Sequence, residues 1–502
     1  MIQARLQQIA SYNDSLPALL LLLLVPVIAH VARVYWSLSH IPGPFWARVT
    51  NIQRVYWVKK ARSHEIHADL HRRYGNLVRL GPNMVAISDP KWIPVIYPIR
   101  AGFPKGNFYR TLMPYSRQGS ALPLVFNTRD EVLHTRLKKP IASMFSLSNV
   151  LTLECFVDRT ISELFLQFDR RFARDQPVSF DMGDWLQFFA FEDSEGLLGA
   201  IWNFMKTAAP VTQIPWFDIL WYKNSIVTLW RPATGMPILK IVSDSVSQRR
   251  EKLEKNELSA DDVTREDFLS RFLDVQSKDP SIHPWSVTSW TFSNVIVGSD
   301  STAVVMKTLW YNLLSHPVSK DRLYIELSQA HQQAKISSPY PAWSEISALP
   351  YLDACVSEAI RLHPPFCLPL ERVVPPEGIN IDGQFLPGRT VVGINPWVAN
   401  HYRPTFGEDA DHWRPERWLV DQEQYRVMER SVLTFGAGRR ICLGRNVALL
   451  ELKKLTAAIL LSYDVQILDP AAYKVENRWF FRQWGVQVQV RRRTEWSQMK
   501  TR

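Results

Sequence analysis

Cysteine is scarce in this chain. Four occur in 502 residues, Cys155, Cys355, Cys367 and Cys442, and no two are closely spaced. That excludes a disulfide framework and points to a reducing compartment for the bulk of the chain. Zinc-type Cys/His spacing is absent, and so is a G-x-G-x-x-G after a strand, the mark of a chain that binds its own dinucleotide. There is no internal repeat or low-complexity tract over residues 45–495. Apart from Arg491-Arg492-Arg493 there is no dense basic run, so nucleic acid is not an expected partner. Only one long hydrophobic run is present, which excludes a multi-span transporter. What remains is ordinary for a folded protein: 46% hydrophobic and 21% charged residues. Lys+Arg 59 against Asp+Glu 48 gives +11, a balance that favours an acidic partner or surface.

The hydrophobic run lies at the amino end. Residues 16–29 are wholly apolar, and continuing to Trp36 admits only His30 and Arg33. Residues 16–36 therefore read as a transmembrane anchor, with Tyr35 and Trp36 suited to the interface. A cleaved signal peptide would need a basic start and a small-x-small cleavage site, and neither is clear. Arg33, Arg48, Arg54, Lys59 and Lys60 follow the run against Arg5 before it. The positive-inside rule then puts residues 1–15 in the lumen and the body in the cytoplasm. Ile41-Pro42-Gly43-Pro44 closes a proline-rich hinge over 37–44, and residues 45–502 form the body.

The body reads as mainly α with a smaller β part late in the chain. A hairpin is predicted over 77–88, with Gly81-Pro82-Asn83 as its turn. Helical spacing dominates 129–282. Long helices are predicted over 285–316, ended by Pro317, and over 351–362, ended by Pro364-Pro365. Strand-like pieces follow at 378–385 and 390–394, a last helix just after Cys442, and a strand at 486–490.

The most informative segment is Phe435-Gly436-Ala437-Gly438-Arg439-Arg440-Ile441-Cys442-Leu443-Gly444. It is a glycine-rich loop running into an apolar helix, and the glycines let backbone approach something flat or bulky. Cys442 sits at the predicted helix start, where the dipole and free N–H groups stabilise thiolate. A nucleophilic cysteine would need a histidine base, and none stands in this segment.

The segment resembles the haem-binding loop of cytochromes P450, F-x-x-G-x-R-x-C-x-G, at every fixed position. Glu358-Ala359-Ile360-Arg361 matches the family's E-x-x-R. Pro415-Glu416-Arg417-Trp418 matches its P-E-R-F segment with Trp for Phe. Gly298-Ser299-Asp300-Ser301-Thr302 resembles the oxygen-activating stretch of its long central helix. The style is that of fungal, pisatin-demethylase-like members, often found in secondary metabolism.

The resemblance implies the P450 fold behind a membrane anchor, haem b as cofactor, and Cys442 as the thiolate ligand of its iron. Phe435 and Gly436 belong to the same cradle. Arg440, Arg372, His134 and Lys138 take the places of the propionate partners, His134 and Lys138 standing at the W-x-x-x-R positions. Glu358, Arg361 and Arg417 would form a structural ion-pair triad. Asp300, Ser301 and Thr302 would serve proton delivery, with Ser301 where Thr is usual and Gly298 permitting a local helix distortion.

Between Phe191 and Gly199 the chain looks a turn or two of helix shorter than related fungal sequences. Aromatic segments over 103–126 and 188–222, with Phe366, Leu368, Leu370, Trp479 and Phe480, favour a lipophilic substrate. Arg129, Arg136, Lys138, Lys139, Arg439, Arg445, Lys453 and Lys454 are expected on one basic face for an acidic NADPH–cytochrome P450 reductase. The expected function is a haem-thiolate monooxygenase of the endoplasmic reticulum membrane, single-pass, using O2. The alternatives are a P450-fold enzyme for desaturation, ring closure, coupling or rearrangement, and a haem-binding membrane protein without turnover.

Overall fold

The computed structural model describes residues 31–100, 102–114, 122–174, 176–190, 205–222, 237–255 and 267–493, with a few isolated positions between them. Six helices position the site: α1 (Glu131–Lys138), α2 (Glu154–Arg171), α3 (Met182–Ala190), α4 (Trp285–Ser315), α5 (Pro350–Leu362) and α6 (Arg445–Ser462). Their ends follow local chemistry. Asp130 caps α1, its Oδ1 accepting from the N–H groups of Val132 and Leu133. α4 stops where His316 must turn extended before Pro317. α5 has Pro350 at its first position and ends before Pro364.

α4 runs unbroken through Gly298, so the predicted distortion there is absent. It is buried on almost every side from Thr302 to Trp310, as a helix apolar all round must be. α2, α3, α4, α5 and α6 share one core with Phe168, Leu186, Trp310, Ala359 and Leu455 in it.

The β part is divided. One sheet orders Leu77–Gly81, Met84–Ile87, Val391–Ile394 and Arg372–Val373, the middle pair parallel. A second orders Phe180–Asp181, Gln487–Arg492 and Tyr463–Ile467. Two hairpins complete it. The piece read as one strand over 378–385 is a hairpin, Ile379–Ile381 with Gln384–Leu386, because Asp382 and Gly383 both take positive φ. Phe180–Asp181 is likewise a strand inside the stretch read as helical; it pairs with a segment three hundred residues away, beyond the reach of periodicity.

Residues 16–23 of the predicted anchor, and the segment between Phe191 and Gly199, lie outside the described residues. Among the described residues no helix is long and apolar enough to cross a membrane. The hinge is packed onto the body. The Arg79 N–H donates to the Pro42 carbonyl at 2.8 Å, and its buried guanidinium donates to the carbonyls of Val34, Tyr35 and Pro82. Those bonds satisfy carbonyls at the end of the helix before the hinge.

Candidate haem-thiolate site

The Cys442 loop is held from three sides. Within it, the Cys442 N–H donates to the Phe435 carbonyl at 2.8 Å. Gly436 and Gly438 have φ of +67° and +58°. A β-carbon on Gly438 would collide with the Tyr97 carbonyl, so only glycine fits there. Outside the loop, the Arg439 N–H donates to the Pro98 carbonyl at 3.2 Å, and Lys138 Nζ donates to the Arg439 carbonyl at 2.9 Å. Gly444 caps α6 directly after.

Cys442 carries an accessible side chain crowded by protein on most sides. That burial pushes its thiol above the ordinary value. Hydrogen bonds from the N–H groups of Gly444 and Arg445, and the charge of Lys138, pull the other way. The helix start acts as the sequence implied, but desolvation outweighs it. A bound cation would supply the missing stabilisation, since a coordinating thiol is deprotonated outright.

The predicted propionate partners converge beside the loop. Arg440 Nη2 donates to Glu131 Oε1 at 2.6 Å, and Arg439 Nε lies 3.4 Å from Glu131 Oε2. Arg372 donates to the Glu371 carbonyl at 2.9 Å and faces the Tyr97 ring at 4.9 Å. His134 is buried with Nδ1 unpartnered; burial and then Arg440 lower its pKa to about 3, so it stays neutral. Lys138 turns to the loop carbonyls. Arg372, Arg439, Arg440 and Glu131 line a common cavity of about 230 Å³.

Sequence reasoning missed one member of this group. Lys105 is buried 4.0 Å from the Tyr109 ring centroid and 4.6 Å from that of Phe126, and donates to the Phe126 carbonyl. Burial, then Arg372 and Arg440, depress its pKa strongly. One carboxylate, Glu131, therefore serves Arg439 and Arg440 beside Lys105, Arg372 and Lys138. With Lys105 and Arg372 buried and the other three half-buried, so much positive charge is costly unless anions join it. A flat group with two carboxylates, seated on Cys442, fits this donor set.

The triad forms as expected. Arg361 grips Glu358 bidentately, Nε and Nη2 each at 2.8 Å, and Arg417 Nε donates to Glu358 Oε1 at 2.9 Å. Burial raises the Glu358 carboxyl, but the Arg361 hydrogen bonds and both guanidinium charges outweigh it, leaving its pKa lowered. Two residues that no motif flagged carry the triad to the loop. Asn400 Nδ2 donates to the Arg361 carbonyl and to Thr434 Oγ1, and its Oδ1 accepts from Leu433 N–H. Thr434 Oγ1 donates to the Ile360 carbonyl at 2.7 Å, one residue before Phe435.

On α4, Ser301 Oγ donates to the Val297 carbonyl at 2.6 Å, leaving its lone pairs to accept. Gly298 is exposed, with no atom within 4 Å of where a β-carbon would stand. Asp300 is buried and accepts from Gln187 Nε2 at 2.9 Å; burial pushes its carboxyl up to about 6 against the pull of Lys307 and Gln187. Thr302 is buried.

The comparisons decide the family. The cytochrome P450 family model matches residues 41–482. The chain belongs to the cytochrome P450 family. A cytochrome P450 monooxygenase of Aspergillus flavus is 56% identical over 483 residues, covering 93% of this chain and 94% of the relative. Cytochrome P450 monooxygenase asR2 of Sarocladium schorii is 53% identical over 491 residues, covering 93% and 95%. The corresponding figures for pkfB of Emericella nidulans are 50% over 495 residues, covering 95% and 96%. Membership makes haem b the cofactor of this P450 and the enzyme a haem-thiolate monooxygenase.

Two expectations need correction. Lys453 and Lys454 do not belong to a basic surface: both are buried, Lys453 2.8 Å from Asp353, Lys454 2.7 Å from Asp158 and also paired with Glu154. Trp216 and Trp221 are exposed instead of lining a pocket, and Leu370 packs elsewhere. The remaining aromatic segments do meet. Phe108, Tyr109, Phe126, Phe366, Trp479 and Phe480 form one cluster, joined by Met205 and Ala209.

Proposed function

We propose that this P450 is held at the endoplasmic reticulum membrane. There it inserts one atom of O2 into a lipophilic small molecule of fungal secondary metabolism. The observation that carries the chemistry is Cys442, presented by a loop fixed at Phe435, Pro98 and Lys138 beside a basic cluster short of anions. When bound there, haem supplies oxygen activation, which thiolate ligation favours. Arg440, Arg372, Lys105 and neutral His134 would hold its carboxylates; on α4, Asp300 would hold and release a proton and the Ser301 oxygen would accept a hydrogen bond from water. The lipophilic substrate class rests on the Phe108–Phe366–Trp479 cluster.

Membrane attachment has support beyond the apolar run. Trp36, Phe45, Trp46 and Ile52 are exposed, as are Trp216, Leu220 and Trp221. The helix bearing Ile52 packs against Val211–Gln213, which brings the two exposed groups to neighbouring parts of the surface. Aromatic and aliphatic side chains of this kind favour the lipid interface. Electrons would come from an NADPH-dependent flavin reductase. The exposed cations Arg136, Lys139 and Arg445 would steer its acidic surface.

A second reading keeps the cofactor and changes the product, by desaturation, ring closure, coupling or rearrangement. Ser301 favours it, because its hydroxyl proton is committed to the Val297 carbonyl. Turnover of a lipophilic fungal extract under 18O2, with reductase and NADPH, separates the two. Monooxygenation puts one 18O into the product and one into water. A product free of 18O, lighter by two hydrogens for desaturation, ring closure or coupling and equal in mass to its substrate for rearrangement, would establish the second reading.

A further inference from the structure

Asp300 does not stand alone on α4. Gln187, from α3, bridges it to Lys307, two turns along α4: Gln187 Nε2 donates to Asp300 Oδ1 at 2.9 Å, and Lys307 Nζ donates to Gln187 Oε1 at 3.0 Å. All three side chains are buried. An ammonium offers only donors, so the Gln187 oxygen must face Lys307. The Gln187 NH2 must then face Asp300, and Asp300 must accept. The order of the chain is thereby fixed by the one member that cannot reverse.

The surroundings hold Lys307 in place. Its stem lies 3.6 Å from where a β-carbon on Gly183 would stand, so it packs closely over that glycine. Asp181 accepts from the N–H groups of Gly183 and Gly485, and its charge also acts on Lys307. Asp184, exposed on α3, and Arg482, from the strand Phe481–Trp484, complete the charged groups facing Lys307. The assembly spans from the surface at Asp184 to Asp300, one residue from Ser301.

We propose that Lys307 and Gln187 are positioning residues for Asp300, locking its carboxyl as a hydrogen-bond acceptor at Oδ1 so that Oδ2 can take up and release a proton for the oxygen chemistry. The proposal rests on the monooxygenase reading, in which each turnover consumes two protons: RH + O2 + 2e⁻ + 2H⁺ gives ROH + H2O. Asp300 passes one proton from Oδ2 to a water on the Ser301 side and is reloaded from solvent. Burial brings its titration to about 6, close to neutrality, and Lys307 and Gln187 keep it from rising further. Lys307 acts through Gln187 and touches no reacting atom.

The test uses the ferric full-length enzyme and reads the carboxyl directly. Infrared pH-difference spectra give the protonated-carboxyl band, and the part lost in Asp300→Asn is assigned to Asp300. In the wild type that band should disappear with a midpoint near 6. Lys307→Met should raise the midpoint by about one pH unit or more, and Lys307→Arg should restore it. Where Lys307→Met does not fold, Gln187→Asn, whose amide is one carbon too short for both contacts, should give the same rise. An unchanged midpoint in the folded variant would overturn the proposal. The titration needs no turnover, so its failure is distinct from loss of the haem-thiolate signature.

Discussion

The indole N–H of Trp418 donates to Glu358 Oε2 at 2.9 Å, in the buried triad that anchors the Cys442 loop. The family pattern usually has Phe there. Here Trp supplies a donor that Phe lacks, so Glu358 accepts from Arg361, Arg417, the Arg414 N–H and Trp418 at once.

The first prediction follows. Trp418→Phe removes one donor from a buried carboxylate and should cost about 1–3 kcal/mol in urea unfolding. Glu358→Ala should cost more, about 3–5 kcal/mol, because Arg361 and Arg417 are left buried without their carboxylate. Both should reduce the haem-loaded fraction without changing the bound chromophore. A Trp418→Phe variant as stable as the wild type would show that the indole N–H adds nothing.

A second prediction concerns acid. His64 and His67 are buried and His363 is half-buried, all three with pKa values lowered to about 3. Burial is the main cause in each; nearby Arg62, Arg54 and His64 add to it in turn. The unfolded chain binds these protons near 6.5 and the folded chain does not, so stability is full above about 6.5 and lost as pH falls toward 3. Each should cost about 2 kcal/mol at pH 5. His363 lies against Trp397 and Phe481, so His363→Phe should flatten the slope of unfolding free energy between pH 5 and 6.5. An unchanged slope would contradict this account.

Haem retention should depend on Lys105. Lys105→Met removes one cation from the group around Arg372 and Arg440, and should speed haem transfer to apomyoglobin by roughly 10-fold or more, on the strength of one charged hydrogen bond. Equal transfer rates would place Lys105 outside the propionate group.

Gly438→Ala tests the loop geometry. The residue has positive φ, and a β-carbon would meet the Tyr97 carbonyl. The variant should lose at least about 1–2 kcal/mol from φ alone and take up little haem. Haem loading equal to that of the wild type would show that the loop does not need its glycine.

These residues also mark what was legible in the sequence. Cys442, Glu358 and Arg361 stand in short contiguous motifs, where spacing alone brings chemistry together. The long helix over α4 was readable because Pro317 ends it. Lys105, Asn400 and Gln187 were not readable, because their contacts are made across the fold: Gln187 is 113 residues from Asp300. Lys453 and Lys454 were misplaced for a related reason. Charge on a helix normally marks its solvent face, but Asp353, Glu154 and Asp158 come from neighbouring helices to neutralise these two inside. The strand at Phe180–Asp181 was hidden because it is two residues long and its partner lies far along the chain.

The central claim is that Cys442 delivers a thiolate to haem iron. The most direct measurement is the reduced, CO-bound difference spectrum of the full chain in yeast microsomes, beside Cys442→Ala at equal expression. The account predicts the red-shifted Soret band that names the family in the wild type and its loss in the variant. A wild type that binds haem without that band, or a variant that keeps it, would contradict the account.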